Sequence, residues 1–227
     1  MPKKSLRVGF FVDGYTLKKV NEYYRFFHPY HTRLDFRGLK NWARREAMRL
    51  FAPEAKRCNM ECHYYHPNKN PLMLGRNAYT VFGLERELRH VGFNVHYSDQ
   101  VGESGDEPNL NLIEDALLYA SFSRMDVAVL LTTQGQFYPF ADRLKEYGIR
   151  TLLLGWNFSY PKGNRWVRWK TDMNLRESCT YYVAMEQVAN RFPPAEENRL
   201  GLFQKEHPFS RGRSQAMPVY DPSPLRA

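Results

Sequence analysis

Short apolar runs alternate along this chain with stretches in which apolar residues recur every three to four positions. "LRVGFFV" (6–12) is a run of β-formers that stops at Asp13-Gly14, the pattern of a central strand buried on both faces. Residues 37–51 place Leu39, Ala43, Ala47 and Leu50 at helical spacing and cover the remaining flank with arginines. "MECHYYH" (60–66) reads as a second strand and 76–91 as a helix closed by Gly92. "FNVHY" (93–97) makes a third strand, and Pro108 opens a helix through "NLNLIEDALLYASFS". "DVAVLL" (126–131), a helix over "FYPFADRLKEYG" and "IRTLLLG" (149–155) complete the series. The order β-α-β-α-β-α-β-α-β predicts an α/β fold: a mostly parallel five-stranded sheet flanked by helices, a Rossmann-like three-layer sandwich.

Beyond residue 155 the pattern turns irregular, then predicts one helix from Leu175 to about Phe192. Residues 1–192 therefore form one domain, and the Pro-, Ser- and Arg-rich stretch 193–227 reads as a flexible basic tail or a docking peptide.

In open sheets of this kind ligands bind outside the carboxyl ends of the strands, near the point where the strand order reverses. Asp13 and the turn at 132–136 fall at such ends. Asp115 shares a helix face with Asn111, four residues earlier. Each has a plainer reading beside the functional one. Asp-Gly commonly caps a turn, Asp115 suits an ordinary polar helix face, and Asn109 and Asn111 suit a helix start after Pro108.

Three segments together, "VGFFVDGYTL" (8–17), "NLIEDALLYA" (111–120) and "DVAVLLTTQGQFYPFADRLKEYGIRTLLLGW" (126–156), resemble the NYN family of PIN-like ribonuclease domains. The likeness spans roughly residues 6–190 and implies a PIN-like fold. It also implies carboxylates gathered around one or two Mg²⁺ or Mn²⁺ ions that activate water for phosphodiester hydrolysis. Asp13 and Asp115 match that set as catalytic and metal-holding residues. Three positions depart from it: Asn109, Gln134 and Gln136 stand where the family carries acids. One carboxylate 4 Å from a unit positive charge is worth about 4 kcal/mol at an effective dielectric of 20, and an amide offers only a dipole. The same replacements remove repulsion toward phosphate and add donors, so Asn109, Gln134 and Gln136 become candidate RNA ligands, and Asn111 joins them from the helix face of Asp115.

Composition sharpens this picture. The formal charge of +9 favours a polyanionic partner. "KGNRWVRWK" (162–170) interleaves Arg165 and Arg168 with Trp166 and Trp169, a combination suited to unpaired bases; the plainer reading is a strand whose tryptophans both pack on the core. Cys58, Cys62, His63 and His66 have a C-x3-C-H-x2-H spacing that is wrong for zinc, and alternation along a strand would send Cys62 and His63 to opposite faces. No run of about 18 apolar residues and no leader pattern is present, so we expect no membrane partner, a cytoplasmic location and reduced thiols.

The expectation is a PIN-like RNA-binding protein, its ligand single-stranded and its hydrolytic power weakened or lost. One alternative is an active endoribonuclease using Mg²⁺ or Mn²⁺ at Asp13 and Asp115, helped by a shifted acid such as Asp106, Glu107 or Glu114. A second is an interaction module whose aromatic segments, "YTLKKVNEYYRFFHPYH" and 193–227, dock a protein partner or a second copy of the chain.

Overall fold

The computed structural model describes residues 5–67, 78–98, 108–191 and 201–204. Its elements in chain order are β1 (Ser5–Asp13), α1 (Gly14–Phe26), α2 (Phe36–Phe51), β2 (Arg57–Tyr65), α3 (Ala78–Val91), β3 (Phe93–His96), α4 (Asn111–Ser121), β4 (Val127–Leu131), α5 (Tyr138–Glu146), β5 (Arg150–Gly155), β6 (Phe158–Lys162), β7 (Arg165–Trp169), α6 (Met173–Ser178), β8 (Tyr181–Ala184) and α7 (Met185–Ala189). The main sheet has six strands in the order β3-β2-β1-β4-β5-β8. All five of its pairings are parallel. The order reverses between β1 and β4, so the carboxyl end of β1 lies at the switch point.

Helices cover both faces, and each face has its own core. Val8, Phe10 and Val12 of β1 meet Leu17, Leu39, Ala43, Leu88 and Met185 on one side. Phe11, with Tyr65, Leu112, Ala116, Phe140 and Leu144, fills the other. The alternation within one strand thus assigns α1, α2, α3 and α7 to one layer and α4, α5 and α6 to the opposite one. Cys62 and His63 part in the same way: Cys62 lies in the first core, and His63 stacks on Phe11 on the second face.

Three features depart from the sequence expectation. The sheet has a sixth strand, because the single helix expected over 175–192 is broken into α6, β8 and α7. The break falls at Cys179-Thr180, where Thr180 exchanges bonds with Thr151 and locks β8 beside β5: Thr151 N donates to Thr180 Oγ1 (3.0 Å) and Thr180 N to Thr151 Oγ1 (2.8 Å). The Tyr-rich segment after Asp13 is the helix α1, capped by Asp13 itself. The irregular stretch after β5 contains an antiparallel hairpin, β6-β7, turned by Gly163 at φ +60°. Glycine at the first position of a two-residue turn suits the twist of a hairpin.

Of the expected tail, residues 201–204 lie against the domain. Leu34 bridges Phe203, Asp35 N donates to Leu202 O and Gln204 N to Arg33 O. Phe203 enters between Tyr24 and Tyr30, so the two aromatic segments nominated for docking meet within one chain. A flexible tail does not describe these four residues. The tail's other residues, 193–200 and 205–227, lie outside the described residues, as do Asp106 and Glu107.

Candidate functional site

Asp13 ends β1 and begins α1, so its side chain meets the unbonded N–H groups of the helix's first turn. Its Oδ1 accepts from Tyr15 N (3.0 Å), and its Oδ2 accepts from Thr16 N (3.3 Å), Thr16 Oγ1 (2.7 Å) and Thr132 Oγ1 (3.0 Å). The residue is 1% exposed. Burial raises its carboxyl pKa to about 6, against the pull of these hydrogen bonds. Gly14 is required beside it, because a Cβ there would lie 2.5 Å from the Tyr65 carbonyl oxygen and 2.7 Å from the Tyr64 hydroxyl.

The bonds continue into the turn after β4. Thr133 N donates to Thr16 Oγ1 (3.2 Å), Gln134 N to Thr132 Oγ1 (3.2 Å) and Gln134 Nε2 to Thr133 Oγ1 (3.1 Å). Gln136 is exposed on the same turn. Asp172 joins from far downstream: its N–H donates to Thr133 O (3.0 Å), and its Oδ1 caps α6 by accepting from Leu175 N (3.0 Å). Its carboxylate fills the space above Gly135, where a Cβ would come within 2.7 Å of Oδ2.

Asp115 faces a different set of groups. It is partly exposed on α4, where its Oδ2 accepts from Tyr65 Oη (2.9 Å) and lies 3.4 Å from His96 Nδ1. His96 Nε2 is in turn 3.0 Å from His63 Nδ1. If His96 donates to Asp115, its Nε2 accepts from His63, and the buried Nε2 of His63 is left without a partner. Burial, then the neighbouring His96, pushes the His63 pKa down to about 4; burial lowers His96 as well.

Asn109 is buried and does a structural task, tying the start of α4 to the end of β2. Its Nδ2 donates to His66 O (3.0 Å) while its Oδ1 accepts from Asn111 N (3.1 Å). It is thus committed to backbone partners rather than presented to a ligand. Asp13, Gln134 and Gln136 come together at one edge; Asp115 sits one strand further along, above β2 and β3.

The hairpin flanks the same edge. Trp169 packs 5.7 Å from Tyr15, two residues past Asp13. Trp166 is 68% exposed. Three apart on one strand, the two tryptophans point to opposite faces of the hairpin, so the reading that packs both on the core fails for Trp166.

Mg²⁺ or Mn²⁺ would need open carboxylate oxygens on residues that share one site. Asp13 is covered, with three donors on Oδ2 and one on Oδ1, and the Oδ2 of Asp115 is engaged by Tyr65 and His96 on a neighbouring part of the edge. As placed, the pair does not fit a shared dication. Among the described residues no three His, Cys, Asp or Glu side chains converge as metal ligands. None of the described helices is long and apolar enough to cross a membrane.

No family model and no curated protein matches the chain. The fold has a solved counterpart. A crystal structure of a protein of unknown function from Vibrio parahaemolyticus superposes with a TM-score of 0.54, covering 82% of this chain and 96% of that one at 17% identity. At that identity the likeness is one of fold alone.

Thr16, Thr132, Thr133, Tyr65, His96 and Asp172 were not singled out from sequence. The threonine pair directly after an apolar run was a usable signal, because hydroxyls at a strand's carboxyl end have a switch point to serve. Asp172 had none.

Proposed function

We propose that this chain is a cytoplasmic RNA-binding protein on a PIN-like, NYN-type scaffold, with little or no hydrolytic activity of its own. What carries the reading is the hairpin: Lys162 and Arg165 pair on one of its faces, Arg168 stands on the other and Lys170 follows, with no acid between residues 147 and 171, and the hairpin is fixed to α1 beside Asp13. Phosphate is drawn to such a cluster by release of its counterions. The edge next to it suits the same ligand, because Gln134 and Gln136 bring amides, the Asp13 carboxylate is sealed under threonines, and Asp172 Oδ1 is taken up by the Leu175 N–H.

A second reading, a Mn²⁺- or Mg²⁺-dependent endoribonuclease, draws on Asp172, a carboxylate that the fold carries to the turn. One experiment separates them: fluorescence anisotropy of labelled single-stranded RNA across a salt series, with the same samples run on a denaturing gel in Mn²⁺. The RNA-binding reading expects affinity that falls steeply with salt and RNA that stays intact. Mn²⁺-dependent cleavage that disappears in Asp13→Asn would establish the enzyme instead.

A further inference from the structure

The two faces of the β6-β7 hairpin are built for different purposes. Register pairs Phe158 with Trp169, Tyr160 with Val167 and Lys162 with Arg165 on one face, and Ser159 with Arg168 and Pro161 with Trp166 on the other. The first face is welded to α1. Trp169 meets Tyr15 (5.7 Å), Phe158 stacks on Tyr23 at 4.3 Å and 9°, and Tyr160 stacks on Phe27 at 3.9 Å and 22°. Tyr15, Tyr23 and Phe27 lie eight and four residues apart, on one stripe of the helix and its end.

The hairpin's base is clamped too. Asn157 Oδ1 accepts from Thr171 N (2.8 Å), Asn157 N donates to Glu186 Oε2 (3.1 Å), and Thr171 Oγ1 donates to Trp156 O (3.3 Å). A strand pair held at its base and along one face has little freedom left to lose when the other face binds.

That other face is bare. Trp166 presents a large flat ring to solvent, opposite the low, rigid Pro161. Arg168 lies on the same face two residues on, about 7 Å along the strand. Aromatic side chains stack on unpaired bases of any sequence, whereas the bases of a duplex have their faces covered by neighbours.

We propose that the outer face of this hairpin is a stacking platform for one unpaired base, with Trp166 as the platform and Arg168 as the anchor for the flanking phosphate. The inference rests on the RNA-binding reading above and narrows its ligand to single-stranded RNA. Trp169, which belongs to the inner ladder, is a positioning residue.

The test compares a short fluorescein-labelled oligoadenylate with the duplex it forms on oligouridylate. The single strand binds more tightly than the duplex. Trp166→Ala weakens single-strand binding by about 10-fold and leaves duplex binding unchanged, while Trp166→Phe restores most of the loss. Because Trp166 is exposed, its removal leaves the fold intact, which circular dichroism checks. Iodide quenching gives a second readout: Trp166 emission is quenched in the free protein and shielded once the oligomer is bound. Full single-strand affinity in Trp166→Ala, alongside weakened binding in Arg168→Ala and Lys162→Ala, overturns the platform and leaves RNA binding standing. Wild-type protein that binds neither probe overturns the RNA-binding reading, and the platform with it.

Discussion

Asp13 and Asp115, the two carboxylates that the resemblance assigns to one metal site, live in opposite surroundings. Asp13 is sealed beneath its own helix and two threonines; Asp115 stands partly in solvent, propped by a tyrosine hydroxyl and a histidine. A side chain's chemistry follows from who else needs its oxygens. Once a carboxylate serves as the cap of α1 and the acceptor for Thr16 and Thr132, using it as a metal ligand means dismantling the start of the helix.

Replacing Asp13 with alanine removes the cap and leaves two backbone donors and two hydroxyls dry, so urea unfolding should show a loss of about 3–4 kcal/mol. The same change at Asp115, which water can reach, should cost far less.

A smaller effect concerns pH. The Asp13 carboxyl has a folded pKa of about 6 against an ordinary value of 3.8, so the folded state holds the proton more tightly than the unfolded chain. Its contribution is fully present below pH about 4 and lost as pH rises through about 6, a span on the order of 2–3 kcal/mol. Asparagine caps helices well and carries no charge to bury. The stability of Asp13→Asn relative to wild type should therefore rise between pH 4 and pH 8, by roughly that amount. His28 and His63, both pushed down to about 4 by burial, work in the other direction in both proteins and cancel from the difference. Their contribution is present above pH about 6.5 and lost as pH falls toward about 4. A relative stability that stays flat with pH would mean Asp13 is not buried as a carboxylate.

The smallest effect is at Tyr65. Its hydroxyl donates to Asp115 from a buried ring, and Tyr65→Phe should cost about 1 kcal/mol in the same unfolding measurement. A loss as large as that of Asp13→Ala would show that the two carboxylates are held alike.

Much of the fold was legible because parallel strands buried on both faces are nearly continuous apolar runs, and β1, β4 and β5 read that way. Helix α1 was not, because aromatics crowd its last turn and the loop beyond it. Leu17, Val20 and Tyr24 carry the helical spacing, but Tyr15, Tyr23, Phe26 and Phe27 mask it. Strand β8 was hidden for the converse reason: Leu175, Met185 and Val188 mimic one long helix, and only the threonine lock at Thr151 and Thr180 stops it. At the site, Asp13 announced itself through its Asp-Gly step after a strand. Asp172 reaches Gly135 from across the hairpin, and no local pattern encodes a contact of that range.

On the RNA-binding reading, this edge and its hairpin take RNA without a metal ion. Affinity for single-stranded RNA measured in EDTA and again in millimolar Mn²⁺ tests it most directly. With the RNA held by side chains alone, binding is tight and salt-sensitive in EDTA and no stronger in Mn²⁺, and the RNA is recovered whole. Binding that vanishes in EDTA, or RNA cut when Mn²⁺ is restored, would contradict it.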